Sequence, residues 1–138
     1  MSMFINCLIH EYDKRTAPIL DTPEKIYENM KDIKDASKEI FVAFHLNTKL
    51  HVIAREIIAI GILDASVVHP REVFRSAIIN NTHSIILAHT HPSGDPRPST
   101  EDKEVTKILK QAGDILGIKI LDHIVCGTNA YERVKEAE

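Results

Sequence analysis

A chain of 138 residues and 15.6 kDa has the length of one ordinary domain, so a second domain is not expected. With 43% hydrophobic and 27% charged residues it matches the globular mean, which excludes a largely disordered or low-complexity chain. A formal net charge of −3 and a pI near 6.2 leave no basic excess to drive sequence-independent nucleic-acid binding through counterion release.

In chain order, residues 4–9 mix aromatic and β-branched side chains and predict an edge strand. Asp21-Thr22-Pro23-Glu24 then combines cap residues, a proline at a first helical position and an early carboxylate. A helix is expected there, with Ile26, Met30 and Ile33 recurring on one face. Residues 39–46 and 51–60, rich in Ile and Val, read as antiparallel strands joined by the polar Asn47-Thr48-Lys49. His69-Pro70-Arg71-Glu72 opens a second amphipathic helix carrying Val73, Phe74, Ala77 and Ile78. Residues 84–88, Ser-Ile-Ile-Leu-Ala, form an unbroken apolar run, as a strand covered on both faces would. Beyond a proline-rich loop, Val105, Ile108, Leu109, Ala112, Ile115 and Leu116 follow helical spacing up to Gly117, a candidate left-handed cap. Strand composition returns at 118–126 and again at 131–134. The alternation predicts an α/β domain, a mixed central sheet flanked by helices, with its ligand beyond the carboxyl end of a central strand.

At that place the strand 84–88 runs into His89-Thr90-His91-Pro92-Ser93-Gly94-Asp95-Pro96-Arg97-Pro98-Ser99-Thr100-Glu101-Asp102. Side chains two apart on an extended chain leave on the same face, so His89 and His91 can offer two imidazoles to one ion. Pro92 biases His91 toward extended backbone, and three of the six prolines fall between 92 and 98 and stiffen the loop. Asp102 lies in the first turn of the following helix, where the dipole favours an ionised carboxylate. Two His and one Asp on Zn²⁺ leave a fourth tetrahedral position for water, the layout of a catalytic site. Such a water loses a proton near neutral pH and attacks a carbonyl if a carboxylate takes that proton. Each part has a plainer reading. With eight histidines, HxH arises by chance in roughly two of five such sequences. Ser99 and Asp102 also spell a capping box that needs no metal.

Taken together, H-x-H-x7-S-x2-D after an apolar strand resembles the JAMM signature of the MPN+ metallopeptidases. The longer string HTHPSGDPRPSTED, with VVHPREVF before it and LGIKILDHIVCG after it, is similar to the bacterial RadC branch over about residues 22–134. The resemblance implies a JAB/MPN-like, cytidine deaminase-like three-layer sandwich. It also implies Zn²⁺ held by His89, His91 and Asp102, with Ser99 stabilising the oxyanion. The family's general base is a glutamate at the onset of an earlier strand, and Glu39 before Ile40-Phe41-Val42 matches it. Glu56 on the partner strand is the second choice, and on residue type alone either is an ordinary surface carboxylate. Thr90 stands where RadC relatives often carry asparagine, but its side chain should leave the opposite face. Many RadC proteins carry an N-terminal helix-hairpin-helix segment, which is not expected in the residues before 22.

His123 sits on an apolar run and reads as a buried, hydrogen-bonded histidine rather than a fourth ligand. His69 reads as a helix-entry residue, and Asp95 and Arg97 as a solvated turn or substrate contacts. Cys7 and Cys126 are isolated in apolar runs, no stretch approaches 18 apolar residues and no signal peptide is evident, which together favour a reducing cytoplasm. The leading expectation is a zinc-dependent peptidase or isopeptidase acting on a peptide or protein. The alternatives are a metal-binding scaffold module and a repair-associated protein acting on or near DNA. The acidic balance counts against the last.

Overall fold

The computed structural model describes residues 8–135. Its elements are β1 Ile9–Glu11, α1 Pro23–Glu28, β2 Ile40–Leu46, β3 Val52–Ile60, α2 Pro70–Ile79, β4 Ser84–Thr90, α3 Thr100–Leu116, β5 Lys119–Cys126 and β6 Tyr131–Arg133. These strands form one sheet in the order β1-β3-β2-β4-β5-β6, with β4 and β5 parallel and the other pairs antiparallel. The expected mixed α/β architecture is the one observed.

β2 and β4 occupy the middle and bury every residue, in keeping with the apolar runs 40–44 and 85–88 within them. Because side chains alternate across a strand, the two faces build two cores. Phe41, Ala43, Ile85 and Leu87 pack under α2 and α3 against Val73, Phe74, Val105 and Leu109. Val42, Phe44, Ile86 and Ala88 face the other way, onto Leu20, Ile26 and Met30. The result is three layers. No helix of the described residues is long and apolar enough to cross a membrane.

Local signals fix most element ends. Thr22 caps α1 by accepting from the Lys25 N–H, and Pro23 and Pro70 occupy first-turn positions of α1 and α2. Gly117 ends α3 at φ 76°, a conformation that favours glycine. Two elements differ from expectation. The edge strand runs over Ile9–Glu11 and pairs with β3, while residues 4–7 of the expected strand lie outside the described residues. α1 stops at Glu28 although the apolar stripe continues through Ile33. Arg55 of β3 supplies the reason: it donates to the Asn29 carbonyl at 2.9 Å and grips Asp32 with both terminal nitrogens. The next amides turn tightly instead, with Ile33 N–H donating to the Met30 carbonyl at 3.0 Å.

Candidate metal centre

The antiparallel register of β2 on β4 pairs Phe41 with His89, so the residues just before β2 lie beside the end of β4. Thr90 makes the junction firm. Its side chain leaves the sheet face opposite His89, and its hydroxyl accepts the Ile40 N–H at 2.8 Å, a buried bond. Glu39 is thereby delivered next to the two histidines. Its backbone carbonyl accepts from Gly61 N–H at 2.8 Å and its Oε2 accepts from Leu63 N–H at 3.0 Å, which aims the carboxylate inward.

His89 is 1% exposed and stands between two carboxylates. Its Nδ1 lies 3.1 Å from Asp102 Oδ1 and its Nε2 lies 3.8 Å from Glu39 Oε2. His91 Nε2 is 3.1 Å from Asp102 Oδ2. On its other side, His91 Nδ1 meets the Asp95 carbonyl at 2.9 Å; a carbonyl only accepts, so that nitrogen carries the hydrogen. This is the outer hydrogen bond that commonly orients a metal-ligating histidine. Asp95 thus contributes through its backbone, which residue type does not reveal. Its side chain meanwhile accepts from Arg97 N–H in the turn anticipated from the sequence.

The capping box at the start of α3 is formed, with Ser99 N–H donating to Asp102 Oδ2 at 2.8 Å and Asp102 N–H donating to Ser99 Oγ at 3.0 Å. The plain reading and the chemical one therefore share the carboxylate: Oδ2 serves the cap and also meets His91 Nε2, whereas Oδ1 faces His89 Nδ1 alone, outside hydrogen-bond alignment. Burial would push the Asp102 carboxyl up, but the His89 and His91 imidazoles and the Ser99 amide outweigh it and hold it well below the ordinary carboxylate range. Pairing with the same carboxylate raises His91.

Glu39, His89 and His91 bring one ligand atom each within 4.8 Å of one another. His89 Nδ1 and Asp102 Oδ1 face each other at 3.1 Å without the alignment of a hydrogen bond, and His89 Nε2 is likewise buried without a hydrogen-bond partner. Buried polar atoms are rarely left so, and two imidazoles with carboxylates are a donor set for a divalent cation. The residues fit a metal ion. Glu56 does not join them. It lies on the same sheet face, opposite Ala43, but its Oε2 accepts from Ser76 Oγ of α2 at 2.8 Å, and α2 closes that part of the face. The expectation that Glu56 could face the cleft is corrected by this contact. A cleft of about 480 Å³ opens beside Glu39 and Pro92, walled by Ile60, Gly61 and Ile62.

The loop after His91 is seated on the β5–β6 turn. His91 N–H donates to the Cys126 carbonyl at 3.0 Å and Thr128 N–H to the Gly94 carbonyl at 3.2 Å. Tyr27 from α1 donates its hydroxyl to the Gly127 carbonyl at 2.9 Å, and Lys34 donates to the Thr128 carbonyl at 2.6 Å. His123 is buried as expected, with Nδ1 2.6 Å from Thr106 Oγ1.

Residues 20–138 match the family model described as the RadC-like JAB domain. Among curated proteins, the chain is 48% identical over 129 residues to a UPF0758 protein of Shouchella clausii, covering 93% of this chain and 56% of that protein. It is 54% identical over 106 residues to one of Desulforamulus reducens, covering 77% and 47% of the two chains, and 40% identical over 136 residues to one of Methanosarcina mazei, covering 93% and 59%. The chain therefore spans about half the length of the curated relatives it matches.

Proposed function

The chain belongs to the RadC-like JAB domain family, and from that premise we propose that it is a zinc-dependent hydrolase of peptide or isopeptide bonds. The observation that carries the reading is the convergence of His89, His91, Asp102 and Glu39 around buried donor atoms that lack hydrogen-bond partners. In this assignment His89, His91 and Asp102 hold the ion. Zn²⁺ bound there supplies a Lewis acid for a carbonyl and acidifies a water molecule.

The protein's own groups do the rest. Glu39, aimed by the Leu63 amide, accepts the proton of the attacking water and passes it to the leaving amine. Ser99 Oγ accepts the Asp102 amide with a lone pair, which leaves its hydroxyl proton for the oxyanion that develops on the scissile carbonyl. The cleft beside Glu39 gives a peptide an approach past Ile60 and Ile62.

Metal analysis and hydrolysis assays on the same variants test this. Asp102→Asn and His91→Ala should lose zinc and activity together. Glu39→Gln should keep its zinc and lose roughly 10²–10⁴ in turnover. Equal loss of metal in Glu39→Gln would make Glu39 a ligand, as its grouping with the histidines allows, and would refute its role as proton carrier. Stoichiometric zinc without hydrolysis across a peptide library would leave a metal-binding interaction module.

A further inference from the structure

His123 plays no part in the chemistry proposed above, yet its ring is 1% exposed and lies directly beneath the site. It pairs with Leu87, two residues before His89 on the neighbouring strand. Its ring packs edge-on to Phe41 at 5.7 Å between centroids and lies 6.4 Å from the ring of His89. Thr106, also fully buried, stands between this histidine and the ligand-bearing turn: its Oγ1 is 2.6 Å from His123 Nδ1 and 2.7 Å from the Asp102 carbonyl oxygen.

The proton count along this row fixes its direction. A hydroxyl has one hydrogen, and the Asp102 carbonyl can only accept, so Thr106 donates there. His123 Nδ1 must then carry a hydrogen and donate to Thr106 Oγ1. The row reads His123 to Thr106 to Asp102, and it joins β5 to the first turn of α3. The capping box turns the Asp102 carboxylate back at the helix end, and this row adds a directed tie from the same turn to the sheet. Val105 and Leu109 set the face that the helix buries through apolar contacts, and the two hydrogen bonds add a directional tie at its first turn. Asp102 has to keep one carboxylate oxygen near each histidine, at 3.1 Å in both cases. Threonine is also a weak helix former in a position where Ala or Leu would fill space, so its hydroxyl is the feature that accounts for it.

We propose that Thr106 and His123 are positioning residues of the metal centre, locking the turn that bears Asp102 to β5 so that its carboxylate stands between His89 and His91. The proposal rests on the metal-centre reading above. His123 Nε2 has no hydrogen-bond partner among the described residues, so the donor at Nδ1 is the part of the ring the proposal needs.

Four variants of the full chain separate positioning from bulk structure. Thr106→Val removes both hydrogen bonds at constant shape, and Thr106→Ser keeps them. His123→Leu removes the donor, and His123→Asn keeps an N–H at the Nδ1 position while deleting Nε2. The readouts are Zn²⁺ affinity by competition with a chromophoric chelator, the visible spectrum of the Co²⁺-loaded protein and the urea midpoint of the metal-free protein. Thr106→Val and His123→Leu should weaken Zn²⁺ binding about 10- to 100-fold and change the Co²⁺ bands. The Ser and Asn variants should stay close to the unsubstituted chain in both. A merely structural role would lower the metal-free midpoints and leave Zn²⁺ affinity and the Co²⁺ spectrum alone, and that result in Thr106→Val overturns the proposal even if His123→Leu fails to fold. If the unsubstituted chain takes up no Zn²⁺, the metal-centre reading fails first and the positioning role falls with it.

Discussion

Replacing Thr90 by valine sets two physical terms against each other at the junction that places Glu39. The side chain is 0% exposed and its hydroxyl accepts the Ile40 N–H at 2.8 Å. Valine has almost the same shape and a more favourable transfer into the interior, so hydrophobicity alone ranks it above threonine. The geometry ranks it below, because a buried amide of the central strand β2 would lose its acceptor at a cost of about 1–3 kcal/mol. Thr90→Ser gives the control: it keeps the acceptor and loses one methyl group, about 1 kcal/mol. In urea a loss of about 2 kcal/mol at a slope near 2 kcal/mol per M lowers the midpoint by about 1 M. Equilibrium unfolding at neutral pH therefore reads the difference directly. Because Glu39 adjoins Ile40, the valine variant should also lose hydrolytic turnover while the serine variant keeps it. A Thr90→Val protein as stable as the parent, or more so, would refute the reasoning.

Other perturbations test different parts. Gly127→Ala places a methyl group on the Gly94 carbonyl oxygen and 3.0 Å from Pro96 Cδ; the metal loop has to lift, and about 1–3 kcal/mol of stability should go with weakened zinc binding by chelator competition. Burial pushes His45 down from 6.5 to about 4, so the unfolded chain binds a proton in that window that the folded chain refuses. Stability present above about pH 6.5 is lost as pH falls toward 4, on the order of 3 kcal/mol, and His45→Phe should flatten that limb in urea titrations at pH 7, 5 and 4. Parallel losses in the two proteins would count against it. Ile62→Ser removes an 81% exposed apolar wall of the cleft beside Glu39. For a peptide with an aliphatic residue next to the scissile bond, KM should rise about tenfold with kcat kept, whereas a fall in kcat alone would place Ile62 outside the binding surface.

What the sequence made legible here follows a physical division. Local signals carried through: Pro23, Pro70 and the box at Ser99 and Asp102 open their helices, and the apolar runs of β2 and β4 became the doubly covered centre of the sheet. Those features depend on neighbours within four residues or on composition alone. What the sequence left open involves register or a partner from far along the chain. Arg55 ends α1 from another strand, which no helix pattern encodes. Glu56 and Glu39 look alike as residues near strands, but only the pairing shows one facing Ser76 and the other beside His89. The backbone contributions of Asp95 and Leu63 leave no trace in residue type.

The same division explains why the motif from His89 to Asp102 is compact in the sequence while its supporting contacts are scattered. His89 and His91 share a face because strand geometry makes alternate residues do so, and Asp102 returns to them because a capping box turns the carboxylate back along its own helix end. Twelve residues, His91 through Asp102, thus suffice to bring these side chains together, with His91 and Asp102 3.1 Å apart. Holding them there is a task for the rest of the sheet: Thr90 on β2, Gly94 on the β5–β6 turn and Thr106 on His123 each fasten the motif to a different element. A variant that preserves every residue of the motif but loosens one of these three fastenings should therefore lose metal affinity before it loses its fold.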